Sequence, residues 1–405
     1  MKVLFLSISS LPHLSEHSIS LDLLRQIRRH GHELYVVSSL ERRANTDTYL
    51  AKEDGASVLR VRIGNNKKTG RIRKGITTLT TPSKYIKAIK KYFRGVRFDL
   101  VLYPTPPVTL CKVVEFIKKR DGAESFLVLK DIFPQNALDI GMMKKTGLSG
   151  FIYRRFRKTE KKLYALSDRI GCMSRANVEY LLSHNPEISA DKVGISPNSV
   201  EPRDLRISRE ERREIRARYG IPEDACVYVY GGNLGRPQGV PYIIECLKLF
   251  ANRTDAYFLI VGDGTEYSRL EAFFSEQNPT NMKLMKRIPK EDYDRLVAGC
   301  DVGLVFLDKR FTIPNFPSRI LPYMQSGLPV LAATDKNTDL GRVITEGGFG
   351  AWCESSDPED FVKLIDGVCP EQFPKMGERA YEYLLMHYTA EKAYHGIFDK
   401  YENQG

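Results

Sequence analysis

Long apolar stretches and paired cysteines are absent from this sequence, and both absences narrow the class of protein. No segment approaches the roughly 18 consecutive apolar residues that a membrane-spanning helix needs. The N-terminal run VLFLSIS follows a single lysine and is soon ended by Pro12, so it is too short for a signal peptide. The seven cysteines are widely spaced and form no CxxC pair. This spacing argues against a disulfide framework and a zinc site, and it is typical of a reducing cytosol.

Acidic residues are scarce in the first half of the chain. Residues 1–200 hold 36 Lys and Arg against 18 Asp and Glu, whereas residues 201–405 hold 26 against 32. From Gly55 to Phe98 there are 13 basic residues and no acidic one. The asymmetry indicates that the first half meets an anionic partner, either a membrane surface or nucleic acid. Nucleic acid is not expected, because the sequence lacks an aromatic RNA-binding pattern and zinc-finger spacing.

Short β-branched and aromatic runs alternate with helical patterns through all 405 residues, a length that suits two domains of roughly 150–200 residues each. This alternation predicts an α/β protein with two doubly wound, Rossmann-like domains built on parallel sheets. Ser208 and Glu211 form a capping box that opens a helix before the second sheet. The predicted divisions are a first domain over 1–203, a second over 204–375 and C-terminal helices over 376–405.

Several short motifs lie at strand ends and helix starts along the chain. They are MKVLFLS at 1–7, RRHGHELYVVSS at 28–39, KDIFPQ at 130–135, PNSVEP at 197–202, GGNLGRPQG at 231–239, VGDG at 261–264 and SRILPYMQSGLPVLAA at 318–333. Together these motifs resemble the retaining GT-B family of nucleotide-sugar glycosyltransferases. Within that family, KDIFPQ and GGNLGRPQG are similar to the bacterial subgroup that builds O-antigen, capsule and other exopolysaccharides, including amino-sugar transferases.

The resemblance implies a fold and a reaction. The two domains would face each other across a cleft, and the C-terminal helices would cross back to the first domain. The expected substrates are a nucleotide-sugar donor, in particular a UDP-linked one with N-acetylamino sugars among the candidates, and a lipid-linked saccharide acceptor. Transfer would proceed with retention and without a metal or other cofactor.

The second half carries the expected donor site. GGNLGRPQG follows a strand and precedes a helix, so its glycines let the backbone approach a ligand while Arg236 offers a planar partner to a diphosphate. A helix is predicted to begin near Pro317, with its free N–H groups facing an anion. The resemblance adds a base-contacting loop after the strand KLMKRI. The expected donor-binding residues are Gly232, Asn233, Arg236, Gly262, Arg287, Ile288, Asn315, Phe316, Pro317, Ser318 and Arg319.

The chain departs from the family pattern at the donor site. Pro314 and Pro322 stand where the family usually carries two glutamates, and Asn233 stands where many relatives have an arginine. The departures leave two alternatives open beside a transferase. One is a nucleotide-sugar epimerase of the same fold, which would use carboxylates for proton removal. The other is a donor-binding protein that has lost catalysis.

Two residues of the first half are candidates for catalysis. Asp131 ends a long apolar strand, which places it at the carboxyl edge where α/β folds bind ligands. The resemblance puts the transferred sugar and the acceptor there, while a structural aspartate is the alternative. His17 lies in the turn after the first strand, where relatives commonly have glycines near the donor phosphate. A surface or core histidine is the alternative for His17.

Two basic helices of the first half predict attachment to a membrane. Thr81 followed by Pro82 predicts the start of one helix, whose apolar stripe is formed by Ile86, Ile89 and Phe93. The second covers 151–164. Basic residues beside apolar stripes are typical of a cytoplasmic protein held peripherally on the inner face of the membrane, although the stripes could also belong to the core. The predicted membrane-facing residues are Lys84, Lys87, Lys90, Lys91, Arg154, Arg155, Arg157 and Lys158.

Overall fold

The computed structural model describes residues 1–65 and 71–402, and it divides the chain into two compact units. The first unit comprises residues 1–201 together with the described residues from Ala390 onward, and the second comprises Pro202–Thr389. These divisions differ from those predicted at 203/204 and 375/376. The helix Phe373–His387 remains in the second unit, because its buried Ala380 and Leu384 pack there. Only the last helix belongs to the first unit.

The first unit contains an eight-stranded sheet of order β3-β4-β2-β1-β5-β6-β7-β8, in which only β3 runs antiparallel to its neighbour. Its strands are β1 (Lys2–Leu6), β2 (Glu33–Glu41), β3 (Tyr49–Glu53), β4 (Ala56–Ile63), β5 (Leu100–Thr105), β6 (Glu124–Leu129), β7 (Arg169–Cys172) and β8 (Val193–Ile195). Its helices are α1 (Ile19–Arg29), α2 (Arg71–Tyr92), α3 (Cys111–Asp121), α4 (Gln135–Asp139), α5 (Gly147–Leu166), α6 (Arg175–His184) and, at the end of the chain, Ala390–Glu402.

The helices of the first unit cover both faces of its sheet. Helix α3 packs against both α2 and α5, so these three helices share one face. Helix α1 packs against the last helix, Ala390–Glu402. The connection from β1 to β2 crosses the sheet in one direction, and the connection from β5 to β6 crosses it in the opposite direction. Because such crossovers are right-handed, α1 lies on the other face of the sheet. The central strands are therefore buried on both sides, which explains their continuous apolar sequences.

The second unit has a six-stranded parallel sheet of order β11-β10-β9-β12-β13-β14. Its strands are β9 (Cys226–Asn233), β10 (Ala256–Asp263), β11 (Met282–Lys286), β12 (Val302–Phe306), β13 (Val330–Thr334) and β14 (Gly350–Glu354). Its helices are α7 (Arg209–Tyr219), α8 (Val240–Phe250), α9 (Tyr267–Gln277), α10 (Lys290–Ala298), α11 (Ile320–Gln325), α12 (Leu340–Glu346), α13 (Pro358–Asp366) and α14 (Phe373–His387), and the last helix of the chain is α15. The α/β class and the two Rossmann-like domains that the sequence predicts are confirmed.

Two local signals act as the sequence predicts, and one does not. The Ser208 hydroxyl accepts the Glu211 N–H and the Glu211 carboxylate accepts the Ser208 N–H, so the capping box opens α7. Helix α2 does not begin at Pro82 but eleven residues earlier, at Arg71, and it carries Pro82 in its interior. The upstream turns form because Thr77 and Thr81 are buried against the unit. Among the described residues, no helix has both the length and the apolar character needed to cross a bilayer.

Candidate functional site

The carboxyl ends of β9 and β10 meet at one edge of the second sheet, where Gly232 pairs in register with Gly262. A Cβ atom on Gly262 would lie 2.0 Å from the carbonyl oxygen of Gly232, so only glycine allows the two strands to approach this closely. Gly232 has φ +127°, a backbone angle that residues with side chains rarely adopt. The two glycines therefore leave bare main chain at the edge where ligands bind in parallel α/β sheets.

Arg319 lies behind this edge and is partly buried. Its Nη1 donates a hydrogen bond to the carbonyl oxygen of Gly231 at 3.0 Å, and its Cζ lies 4.4 Å from the centroid of the Tyr230 ring. Its Nε is buried without a hydrogen-bond partner. Within the described part of the chain, no carboxylate forms an ion pair with Arg319. A buried positive charge is normally neutralised by a partner, so this guanidinium is suited to an anionic ligand.

Two further tyrosines hold the main chain beside Arg319. The Tyr323 hydroxyl accepts the N–H of Gly231 at 3.2 Å and donates to the carbonyl oxygen of Leu304 at 3.2 Å. A Cβ atom added to Gly231 would lie 1.7 Å from the hydroxyl oxygen of Tyr293, so Tyr293 packs directly against the main chain of Gly231. Burial raises the pKa of Tyr323 to about 12. The phenol therefore stays neutral near pH 7 and does not cancel the charge of Arg319.

Arg236 is the exposed cation of the loop that follows β9. It begins a short 3-10 turn, Arg236–Gln238, and its Nε lies 3.7 Å from a carboxylate oxygen of Glu266. The loop is held by Gln238, a buried side chain whose Oε1 accepts the N–H of Gly235 at 3.1 Å and the amide of Asn233 at 3.2 Å. Asn233 therefore braces the loop through its side-chain amide, while Arg236 is left exposed at the sheet edge.

The remaining predicted donor residues lie on two other loops. The helix expected near Pro317 begins instead at Ile320, spans only six residues and has no side-chain cap from Ser318. The segment from Asn315 to Arg319 is thus an irregular loop, because the prolines at 314 and 317 break the helical hydrogen bonding. Phe316 is buried, and the Nδ2 of Asn315 is buried without a partner. Strand β11 ends at Lys286, so Arg287 and Ile288 lie in the loop before α10.

In the first unit, Asp131 follows the carboxyl end of β6 as the sequence predicts. It is partly buried, and burial raises the pKa of its carboxyl group to about 6, against the opposing effect of the Lys130 ammonium. Burial likewise lowers the pKa of Lys130 to about 8, and Asp131 opposes that shift. A carboxyl group with a pKa near neutrality is typical of residues that exchange protons or touch reacting atoms.

His17 belongs to a network of charged residues at the start of α1. Its Nδ1 lies 2.9 Å from the guanidinium of Arg25 and 3.4 Å from Asp22, and Glu201 is also near. Within the described residues His17, Asp22 and Glu201 are grouped closely enough to ligate a metal. Arg25 pairs with both carboxylates, however, and donates to the carbonyl oxygen of Leu14 at 2.9 Å. Arg25 thus already supplies the positive charge at this position.

The two basic helices expose most of their predicted cations, and the predicted apolar stripe of α2 is covered. In α2, Ile89 and Phe93 are buried and Ile86 is partly buried, so this stripe belongs to the core. In α5, Arg157 is partly buried, pairs with Glu160 and donates to the side chain of Asn185 at 2.7 Å, so its charge is already compensated within the unit. Lys67 and Lys68 of the basic segment lie outside the described residues. The exposed predicted cations are Lys84, Lys87, Lys90, Lys91, Arg154, Arg155 and Lys158.

Sequence reasoning missed the groups that surround the predicted residues. Tyr293 comes from a separate segment, and no local pattern connects it to Arg319. Tyr323 stands four residues after Arg319 in the same motif, but the motif does not show that its hydroxyl meets the main chain of Gly231. Lys130 gives no signal beyond its position beside Asp131. A partly buried lysine is recognised only once the strand edge is known.

The chain is similar to known glycosyltransferases in sequence and in fold. The family of glycosyl transferases group 1 matches residues 211–383. The chain is 28% identical over 295 residues to the probable glycosyltransferase WbjE of Pseudomonas aeruginosa, covering 72% of each chain. It is 22% identical over 274 residues to the putative colanic acid biosynthesis glycosyl transferase WcaI of Escherichia coli K12, covering 67% of this chain and 65% of that relative.

Among solved structures, HepE from Anabaena in complex with UDP and glucose superimposes with a TM-score of 0.72 at 14% identity, over 100% of both chains. Because the coverage is complete, this likeness establishes the fold of the whole chain. Because the identity is low, it establishes the fold alone. Together with the sequence matches, which favour neither the epimerase nor the catalytically impaired alternative, it indicates a glycosyltransferase of the GT-B fold, and the match to glycosyl transferases group 1 lies within the second unit.

Proposed function

We propose that this glycosyltransferase moves a sugar from a UDP-linked donor to a lipid-linked saccharide in the synthesis of a bacterial surface polysaccharide, with retention of anomeric configuration. The named relatives support this assignment, because one is a putative colanic acid biosynthesis enzyme and a structural neighbour was solved with UDP and glucose. An N-acetylamino sugar is among the candidate donors because of the resemblance of the KDIFPQ and GGNLGRPQG segments to amino-sugar transferases.

The observation that carries the proposal is the guanidinium of Arg319. It is desolvated at the carboxyl edge of the second sheet and bonded to one carbonyl oxygen, and no carboxylate pairs with it among the described residues. A diphosphate would accept the one hydrogen bond that Nε leaves unused, and charge-assisted bonds of this kind are about twice as strong as neutral ones. Bare main chain at Gly232 and Gly262 gives the diphosphate room to approach.

The same groups suit the chemistry of transfer. When the bond between the sugar and the diphosphate breaks, negative charge develops on the departing phosphate oxygen. Fixed positive groups at that position stabilise the transition state, and stabilisation of this kind usually contributes more to the rate than any other single effect. We propose that Arg319 and Arg236 supply this charge and that no metal is required. Chelation by EDTA should then leave the transfer rate unchanged.

The first unit would supply the acceptor side of the reaction. Asp131 stands at the carboxyl edge of β6, and its raised pKa of about 6 leaves it mostly ionised near pH 7 but able to accept a proton. We assign it contact with the transferred sugar or the acceptor hydroxyl. A lipid-carried acceptor is reached at the membrane surface, which the basic helices of this unit would face as a peripheral protein.

The experiment that tests the proposal incubates the protein with a panel of UDP-sugars and a prenyl-diphosphate-linked sugar. A glycosylated lipid whose new bond keeps the donor's anomeric configuration, read by NMR, is the expected result. A free epimerised sugar nucleotide would show an epimerase instead. UDP binding without any product would show a donor-binding protein that has lost catalysis, and absence of both would remove the donor-site assignment itself.

A further inference from the structure

The first turns of α5 expose large apolar side chains that the core does not use. Leu148 is 78% exposed, Phe151 58% and Ile152 40%, and Met142 in the preceding loop is 63% exposed. The spacing 148, 151, 152 places three of these side chains on one face of the helix. Scattered single apolar residues are ordinary on protein surfaces, but a contiguous group marks an interaction site. We name Met142, Leu148, Phe151 and Ile152 the α5 tip.

The surroundings of the α5 tip are basic. Between residues 140 and 159 there are six Lys and Arg and no Asp or Glu. Continuing along the exposed face of α5, Arg155 and Lys158 follow the apolar residues directly, and both are exposed. Lys144 and Lys145 precede the helix and are exposed too. An apolar tip bordered by cations matches the layers of an anionic bilayer, with acyl chains below and negative headgroups above.

Helix α2 repeats the arrangement. Ile76 is 58% exposed and Leu79 59% exposed, and both lie near the start of the helix. At 100° per residue, Lys87 and Lys90 fall on the same exposed face, farther along. The apolar residues at the start of α2 are therefore backed by cations in the same order as in α5. The buried stripe of α2 points the opposite way, into the core.

The two apolar starts lie at the same end of the first unit. Helices α2 and α5 both contact α3 and so share one face of the sheet. Each follows a parallel strand, so each begins at the carboxyl end of that sheet. The α5 tip is also tied to the Asp131 loop, since the Tyr153 hydroxyl donates to the Gln135 side chain at 2.9 Å and the rings of Phe133 and Phe156 pack 5.1 Å apart.

We propose that the starts of α2 and α5 together insert into an anionic phospholipid bilayer, with Leu148, Phe151, Ile152, Ile76 and Leu79 below the headgroups and the lysines and arginines among them. The inference rests on the proposed function in one respect, that insertion at this end brings the Asp131 edge to the surface where a lipid-linked acceptor lies. The predicted apolar stripe of α2 is buried, so the inserting residues are these exposed side chains instead.

The charge of this surface favours a bilayer over a second copy of the chain as its binding partner. A symmetric dimer through this face would set the exposed cations of residues 140–159 against the same cations of the second copy, with no acidic residue in that segment to compensate. Anionic headgroups pair with the same cations favourably, at about 1 kcal/mol for each basic residue near the surface. The bilayer is therefore the occupant that complements the whole surface.

The first test compares binding to vesicles of phosphatidylcholine with and without phosphatidylglycerol. The wild-type chain should sediment with the anionic vesicles only, and the combined variant Leu148→Ser, Phe151→Ser, Ile152→Ser should bind at least about tenfold more weakly because it loses the insertion of three large side chains. The matched control is Leu249→Ser, Leu385→Ser, Met386→Ser, which removes three exposed apolar residues, 43%, 41% and 54% exposed, from the second unit. The control should bind as the wild type does.

The second test measures insertion directly. The chain has one tryptophan, Trp352, in the second unit, so Phe151→Trp adds a probe at the α5 tip. Lipids brominated on their acyl chains should quench the fluorescence that this variant adds to the wild-type signal. Unquenched added fluorescence, or serine-variant sedimentation equal to the wild type, would overturn the proposal. So would a wild-type dimer that the serine variant dissociates while vesicle binding persists.

The two proposals fail separately. The vesicle assays contain no sugar donor, so docking can hold even where no transfer is found, and the proposed function would then fail alone. Transfer to a short-chain, water-soluble acceptor by a protein that ignores vesicles would instead leave the function standing and remove the docking surface. Unchanged melting and UDP binding in the serine variant show that it is folded.

Discussion

The guanidinium of Arg319 lies over the ring of Tyr230, with its Cζ 4.4 Å from the ring centroid. The Tyr230 hydroxyl donates in turn to the carbonyl oxygen of Asn233 at 3.0 Å, so the ring is fixed at the end of β9. A planar guanidinium stacked on a ring keeps its edge N–H groups in one plane, ready for a bidentate acceptor. The pairing thus fixes a cation at the predicted donor site without neutralising it.

Arg319→Lys should weaken UDP binding even though it keeps the positive charge. Lysine has no planar fork and stacks less well, so it would lose at least one charge-assisted hydrogen bond worth about 1.5–3 kcal/mol. This corresponds to about tenfold weaker binding or more, measurable by titration calorimetry. Arg253→Lys is the control, because Arg253 pairs with Asp255 and Asp366 near the opposite edge of the sheet. Equal UDP affinity in both variants would place the diphosphate elsewhere.

Gly262→Ala should disrupt the donor site from behind. The added methyl group would sit 2.0 Å from the Gly232 carbonyl oxygen, which forces β9 and β10 apart. Overpacking of this kind costs about 1–3 kcal/mol, so urea unfolding should show a lower midpoint and UDP should bind more weakly. Gly194→Ala is the control, since nothing lies within 4 Å of its added Cβ. Wild-type stability and UDP affinity in Gly262→Ala would contradict the close approach of the two strands.

The glycines and arginines of the donor site are readable from the sequence because they sit in short motifs beside strands. Local order alone places Gly232, Gly262 and Arg319, since parallel strands bring their carboxyl ends together. The helix start expected at Pro317 is wrong, because the prolines at 314 and 317 keep the segment before Ile320 irregular. Tyr293 could not be found, because only tertiary packing brings it to this site. Tyr323 stands four residues after Arg319, but the motif does not show what its hydroxyl contacts.

The basic helices show a second limit of what can be predicted from the sequence. Periodicity identifies the apolar face of α2 but not what covers it, and Ile89 and Phe93 are covered by the core. The exposed Leu148 and Phe151 are not part of an extended amphipathic pattern in the sequence. Only their exposure in the structure distinguishes them from apolar residues of the core. The sequence groups Arg157 with the other cations because its partner Glu160 is three residues away, and nothing in the pattern shows that Glu160 is buried.

Arg216→Met should destabilise the second unit strongly. Arg216 is 2% exposed, pairs with Asp301 at 2.6 Å and donates to the carbonyl oxygens of Gly299 and Ala225 at 2.9 Å each. Removing one partner of a buried ion pair costs about 3–5 kcal/mol. Arg212→Met is the control, because Arg212 pairs with the same carboxylate but is more exposed, and such pairs contribute about 1 kcal/mol or less. Similar urea midpoints for the two variants would show that burial does not increase the contribution of the Arg216–Asp301 pair to the free energy of unfolding.

Lys130→Gln should shift the pH dependence of transfer toward alkaline pH. Asp131 has a pKa raised to about 6 by burial, and the Lys130 ammonium holds that pKa lower than burial alone would. Below this pKa the carboxyl group is protonated, so the wild-type rate should fall as the pH drops through about 6. Removing the ammonium raises the pKa of Asp131 further, and the acidic limb of kcat/KM, which reports the free enzyme, should move to higher pH.

Lys119→Gln provides the control for this profile, because Lys119 is an exposed lysine of the same unit with no part in the shift of Asp131. Its acidic limb should coincide with that of the wild type. Asp131→Asn should remove the limb altogether while leaving UDP affinity unchanged, since Asp131 is assigned to the sugar or acceptor and the nucleotide is assigned to the second unit. An acidic limb that stays in place in Lys130→Gln, or persists in Asp131→Asn, would mean that another group titrates and that Asp131 serves only the structure of its loop.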